Sequence, residues 1–252
     1  MQEKNASIDL WELLTCLKSG YQWVDLSFEL SPQTPHWQGF KPLEVKPLYT
    51  FENTEGVFCA NQYTLSGQYG THTDFPRHFD PKGRWMHEYG VQDLAYPLVV
   101  IDKSTAVTAN PDYELSKDDI LEFEKTYGSI PTGSFVVFRS DWSTRSAADY
   151  ENKDAQGNAH YPGWHLEALK YLIEVRNIAV IGHETPDTDS AQRGNAVGMV
   201  CEAYVLQQGK LNVELLRGLD QVPPIGAIAF ITFPKVTDGV GFTSRVFAIA
   251  PR

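Results

Sequence analysis

The chain has 252 residues, enough for one sizeable core, and its 42% hydrophobic and 21% charged content is ordinary for a globular protein. Its 32 Asp and Glu against 21 Lys and Arg give a formal charge of −11, a field that opposes nucleic acid and anionic membrane surfaces. No apolar run approaches the roughly 20 residues of a membrane span. The N-terminus, Met1-Gln2-Glu3-Lys4-Asn5, lacks a basic segment followed by an apolar core, so no secretory signal is expected. Cys16, Cys59 and Cys201 are widely spaced and odd in number, and read as reduced thiols of a cytoplasmic protein.

Ile8, Leu10, Trp11, Leu13, Leu14 and Leu17 fall at helical spacing, with Ser7 as N-cap and Gly20 past the end. This predicts an amphipathic helix within residues 1–20 that packs on the domain or on a partner subunit, and hence a homodimer or homotetramer. Strands are predicted at Val24–Leu30, Tyr63–Leu65, Leu98–Asp102, Ser134–Arg139, Ile178–Gly182, Ala227–Phe233 and Arg245–Ala250, several apolar on both faces, as in strands covered on both sides. Between them, Ser116-Lys117-Asp118-Asp119 resembles a capping box opening a helix that Gly128 closes. Ser146–Pro162, rich in Asp, Asn, Ala and Gly, reads as a surface loop. A helix carrying Leu166, Leu169, Leu172, Ile173 and Ile178 follows Pro162-Gly163, and another runs from near Met199 to Gln208, stopped by Gly209. Mixed strands and helices without linker or repeat point to a single α/β domain over residues 1–252.

One segment carries most of the chemistry. Gly70-Thr71-His72-Thr73-Asp74-Phe75-Pro76-Arg77-His78 places His72, Asp74 and His78 at even spacing. On an extended backbone these side chains would share one face. Pro76 cannot donate to a ladder and disfavours helix at Phe75, so the segment reads as an edge strand or extended loop. Two imidazoles and a carboxylate on one side suit Zn²⁺, Mn²⁺ or Fe²⁺.

The order of residues from Gln68 to Phe79 resembles the signature of the cyclase-like metal-dependent hydrolases, the family of bacterial kynurenine formamidase and isatin hydrolase. Its pattern, His-x-Gly-Thr-His-x-Asp-x-Pro-x-His, is matched at Gly70, Thr71, His72, Asp74, Pro76 and His78, with Gln68 in the first position. The likeness continues through Val24-Asp25-Leu26-Ser27, Pro35 and Trp37, Leu98–Asp102, Ser134–Trp142, and Ile178–Gly182 with Thr185, Thr188 and Asp189. It implies a swivelling β/β/α barrel-like domain with a mixed sheet. It also implies a metal held by Gln68, His72, Asp74 and His78, with His78 able to serve as base. Glu202 stands where two-metal members carry a late His, and Glu214 lies near their Glu position. One divalent ion, Mn²⁺ or Zn²⁺, is therefore expected, with a second as the alternative.

His183 follows a predicted buried strand, at an end where α/β proteins bind ligands, and with His78 and Glu202 forms the expected catalytic set. Asp187 and Asp189 would cap or staple the adjoining loop. Trp37, Phe40, Tyr69 and Trp85 would bind a flat aryl substrate. The reading that follows is a metal-dependent hydrolase cleaving an amide C–N bond of a small aryl compound, an isatin-like cyclic amide or an N-formyl arylamine, with water activated by the metal. Its rivals are a lactone hydrolase or dehydratase on the same fold, and a metal-free protein that binds an aryl ligand without turning it over.

Overall fold

A computed structural model of the chain describes residues 8–252. In chain order the strands are β1 (Gln22–Asp25), β2 (Glu44–Tyr49), β3 (Ala60–Thr64), β4 (His72–Asp74), β5 (Ala95–Asp102), β6 (Glu114–Leu115), β7 (Phe135–Arg139), β8 (Gly163–Trp164), β9 (Val180–His183), β10 (Leu211–Glu214), β11 (Ala227–Thr232), β12 (Gly241–Thr243) and β13 (Arg245–Ala250). The helices are α1 (Leu10–Gly20), α2 (Ser104–Ala109), α3 (Lys117–Tyr127), α4 (Leu166–Lys170), α5 (Ala191–Val197) and α6 (Val200–Gln207).

Nine strands form one mixed sheet in the order β1-β13-β11-β5-β7-β9-β10-β4-β12. Its centre, β5-β7-β9-β10, is parallel, and the flanking pairs are antiparallel. Alternation along the parallel strands divides the interior. Leu98, Val100, Phe135, Val137 and Val180 point into one apolar cluster with Val213, Ile231 and Val246. Val99, Ile101, Val136, Phe138 and Ile181 point into a second, against Ile120, Phe123, Leu169, Leu172 and Val205 from the helices. Burial on both sides is why these strands read as continuous apolar runs.

The capping box is present: Ser116 accepts from the Asp119 N–H, Asp119 accepts from the Ser116 N–H at 2.8 Å, and Gly128 closes α3. At the N-terminus the cap is Asp9, whose carboxylate accepts from the Trp11 and Glu12 N–H groups, and Ser7 lies outside the described residues. The helix predicted through Ile178 is α-helical only to Lys170, then widens into a π-helical turn at Tyr171–Val175. Strand β1 stops at Asp25, five residues before the predicted end. The predicted Tyr63–Leu65 strand lies at Ala60–Thr64 and pairs with β2 as a two-stranded ribbon apart from the main sheet.

Candidate metal and substrate site

The segment Gly70–His78 does not lie on an edge. Strand β4 is sandwiched between β10 and β12, and its register sets Glu214 opposite His72 and Gly241 opposite Asp74. The two-residue period therefore holds for His72 and Asp74, which share a face. His78 reaches them differently, from a single 3₁₀ turn at Pro76–His78. Thr71 fastens the segment: its hydroxyl donates to the Leu215 carbonyl at 2.6 Å and accepts from the Phe28 N–H. Leu215 has φ of 55° and turns the chain directly after Glu214. Opposite, Asp189 accepts from the Cys201 and Glu202 N–H groups at 2.9 and 3.2 Å, clamping the start of α6, which presents Glu202. Gly241 is required for space, because a Cβ there would lie 2.5 Å from Gln68 Cγ and 2.7 Å from Asp74 Oδ1.

The resulting cluster is acidic, with His72, Asp74, Glu202 and Glu214 buried. His72 Nε2 lies 3.3 Å from Asp74 Oδ2 and 3.5 Å from Glu214 Oε2, all three side chains being buried. His72 Nδ1 faces the Gly70 carbonyl at 2.8 Å, so Nδ1 donates there and Nε2 turns to the carboxylates. Burial works against charge on His72, yet Asp74 outweighs it and raises the imidazole above its ordinary value. Burial likewise opposes charge on Asp74, but His72, His78 and Gln68 together pull that carboxyl down. Burial, reinforced by the neighbouring acids, pushes Glu202 and Glu214 well above the carboxylate range and Asp187 up to about 7. A proton on His72 meets only part of this demand for positive charge: Asp74 Oδ2 is buried without a hydrogen-bond partner. His72, Asp74 and Glu214 bring ligand atoms within 4.8 Å of one another, as do Asp74, His78 and Glu202, and Asp187, Glu202 and Glu214. Buried nitrogen and oxygen donors with this unmet charge fit a divalent cation.

The cluster forms the floor of a cavity of about 260 Å³ whose other walls are Trp37, Phe40, Pro186 and Met199. Trp37 and Phe40 meet edge-to-face with ring centres 5.1 Å apart.

The "Cyclase" family model matches residues 24–190. Isatin hydrolase of Roseibium aggregatum is 30% identical over 243 residues, covering 91% of this chain and 92% of that protein. The chain belongs to the cyclase family. A crystal structure of an isatin hydrolase bound to the product analogue thioisatinate superposes on this cyclase-family chain with a TM-score of 0.90, at 29% identity, covering 96% of this chain and 98% of the other. Kynurenine formamidase of Bacillus mycoides is 32% identical over 83 residues, 33% of this chain and 39% of that protein.

Within this family member the predicted residues separate into two groups. Gln68, His72, Asp74, His78, Glu202, Glu214, Trp37 and Phe40 all line the cavity. Gln68 bridges the motif: its amide nitrogen donates to Asp74 Oδ1 at 2.8 Å and lies 2.9 Å from His78 Nε2. Tyr69 and Trp85 are not part of the cavity wall. Tyr69 is fully buried, its hydroxyl donating to the Ser31 and Pro32 carbonyls, and Trp85 lies under the Arg77 guanidinium. Their polar or cationic partners, which lie elsewhere in the chain or on its surface, decide their direction.

His183 is sealed behind the cavity rather than in it. Its Nδ1 is 3.3 Å from the Trp164 indole nitrogen, which can only donate, so Nδ1 accepts and the proton sits on Nε2. That Nε2 is 3.4 Å from Glu214 Oε1. Burial, with His72 nearby, pushes the His183 pKa down to about 3 and keeps the ring neutral. Trp164, Gly241, Pro186 and Met199 were not legible as site residues. Trp164 belongs to the short strand β8, and the other three matter through space and shape rather than through reactive groups.

Proposed function

We propose that this protein is a metal-dependent hydrolase that opens an aryl cyclic amide of the isatin type. The observation that carries the reading is the buried His72–Asp74–Glu214 group at the floor of a cavity with aromatic and aliphatic walls. Gln68, His72, Asp74 and Glu214 would hold one divalent cation, and their oxygen-rich chemistry favours Mn²⁺ over Zn²⁺. When bound, such a cation supplies Lewis acidity and lowers the pKa of water towards neutrality.

The chain's own residues do the rest. Trp37, Phe40, Pro186 and Met199 hold the flat ring and exclude bulk water, turning the reactive carbonyl towards the floor. His78 lies half-open to the cavity, with Nε2 3.8 Å from Glu202 Oε1. It takes the proton of the attacking water and returns it to the leaving nitrogen. Glu202 shares that proton with His78. His183, held neutral, keeps its Nε2 3.4 Å from Glu214 Oε1 and backs that carboxylate.

A second reading, cleavage of an N-formyl arylamine, draws on the Asp74–His78–Glu202 group, which offers donors for a second cation. Metal-loaded enzyme assayed on a cyclic amide, a formamide and a lactone sharing one aryl core separates the readings. Preference for the cyclic amide is expected. Exclusive lactone turnover would move the assignment to that rival, and binding without turnover of any would move it to the non-catalytic one.

We also propose a homo-oligomer, dimer or tetramer. Helix α1 buries none of its side chains, with Trp11 84% exposed, and the β2–β3 ribbon is exposed along both strands. A two-stranded ribbon is marginally stable alone in water, so a covering surface is expected. Light scattering that returns a monomer at assay concentration would refute this. Three free cysteines fit a reducing compartment such as the cytoplasm, and no helix among the described residues is long and apolar enough to cross a membrane.

A further inference from the structure

We infer that the substrate carries an uncharged aryl substituent, and that this second ring lies in a groove adjoining the cavity. The inference rests on the cyclic-amide reading above and deepens it by naming the substrate class. Phe40 and Pro186 belong to two walls at once. On one side they line the cavity that holds His72, Asp74 and Glu214. On the other they line a groove of about 460 Å³. A molecule seated on the cavity floor therefore reaches the groove across this shared lip.

The groove runs between two segments of chain. Pro32, Pro35 and Pro42 come from the first, and Ala147, Ala148 and Tyr150 from the second. Its polar side chains are engaged with the protein itself. Lys153 Nζ donates to Gln38 Oε1 at 2.9 Å, which ties the two segments together, and lies 2.7 Å from Glu151 Oε2. His36 stacks on Tyr69 with ring centres 4.5 Å apart and turns Nδ1 to the Thr34 carbonyl at 2.7 Å. The Tyr150 hydroxyl donates to the Glu184 carbonyl at 2.6 Å. Walls held in this way need little ordering when a ligand enters. They offer apolar surface with few free polar groups, which suits a neutral ring and not a charged, strongly hydrated group. Contacts made there, remote from the reacting amide, add to kcat/KM by holding the carbonyl at the floor.

The test assays the Mn²⁺-loaded protein on isatin and on its 4-, 5-, 6- and 7-phenyl derivatives. Each derivative's kcat/KM is divided by that of isatin in the same protein, so that differences in chemical reactivity cancel between proteins. Ala147 and Ala148 are exposed, and a Trp at either position fills the groove without entering the core. We expect at least one phenyl isomer to exceed isatin several-fold in the wild type, and its ratio to fall about 10-fold or more in Ala148→Trp. Ala147→Trp is read in the same way and covers a failure of the first variant to fold. A wild type that favours no phenyl isomer over isatin would overturn the inference, as when a second copy of the chain covers the groove. So would a ratio that the Trp variants leave unchanged. If none of the five compounds is hydrolysed, the cyclic-amide reading fails by itself. Calorimetric titration of the same compounds then decides the groove. Tighter binding of a phenyl isomer, lost in the Trp variants, supports it, and affinity no better than that of isatin overturns it.

Discussion

Trp164→Phe tests the contacts that back Glu214 from the side of His183, beside the Asn212 amide that donates to it at 3.0 Å. Trp164 donates to His183 Nδ1 at 3.3 Å, and through the tautomer it sets, His183 Nε2 points at Glu214 Oε1 3.4 Å away. Phenylalanine keeps an aromatic ring against Phe138, which Trp164 now meets edge-on at 5.8 Å, but removes the donor. Nδ1 is then free to carry the proton, and Nε2 no longer turns a proton towards Glu214 in that form. Hydrogen bonds behind a metal ligand are worth about 10- to 100-fold in metal affinity. The 3.3 Å contact is long, which puts the expected effect at the lower end, about 10-fold or 1.4 kcal/mol. The smaller ring also leaves a void, costing about 1–2 kcal/mol of fold stability. Metal affinity is read by competition with a chromophoric chelator, stability by urea unfolding, and kcat at saturating metal. Weaker metal binding with kcat within about twofold of wild type is expected for a positioning role. Unchanged metal affinity, or a kcat that stays low at saturating metal, would refute it, the second outcome placing His183 in the chemistry itself.

Other expectations follow from individual contacts. In Gly241→Ala the added methyl collides with Gln68 and Asp74, so metal affinity should fall at a stability cost of about 1–3 kcal/mol, checked by chelator competition and thermal unfolding. His78→Gln should retain its metal and lose about 10²- to 10⁴-fold in kcat, and elemental analysis beside steady-state kinetics checks both halves. Away from the site, the Arg176 guanidinium, at 2.6 and 2.8 Å, holds Glu124 down to about 2. A carboxyl depressed below its unfolded value of 4.5 contributes stability that is full above that pH and fades as pH falls towards about 2. Glu124→Gln should therefore cost about 2 kcal/mol at pH 7, and the gap between the two unfolding curves should close on acidification through that window.

The parallel core was readable because its strands are buried on both faces, so Leu98–Asp102, Ser134–Arg139 and Ile178–Gly182 stand out as unbroken apolar runs. Helix α3 was readable for a local reason, the reciprocal hydrogen bonds of Ser116 and Asp119. Strands β10 and β12 were not, being short and carrying Asn212, Glu214, Gly241 and Thr243, whose presence in a sheet depends on pairing with β4. The same pairing reversed the edge assignment of the His72–Asp74 segment. Spacing identified His72 and Asp74 as partners, but only the 3₁₀ turn explains how His78 joins them. Tyr69, Trp85 and His183 show the limit of residue type as a guide. Whether an aromatic or imidazole faces a cavity is set by distant partners such as the Ser31 carbonyl, Arg77 and Trp164.

The central claim, that His72, Asp74 and Glu214 form a cation site, is tested most directly by elemental analysis of protein purified without chelator or metal-affinity resin, beside His72→Ala. About one Mn²⁺ or Zn²⁺ per chain, lost in His72→Ala, is the expected result. No stoichiometric metal in the wild type, even after Mn²⁺ and Zn²⁺ are added back, would contradict the account.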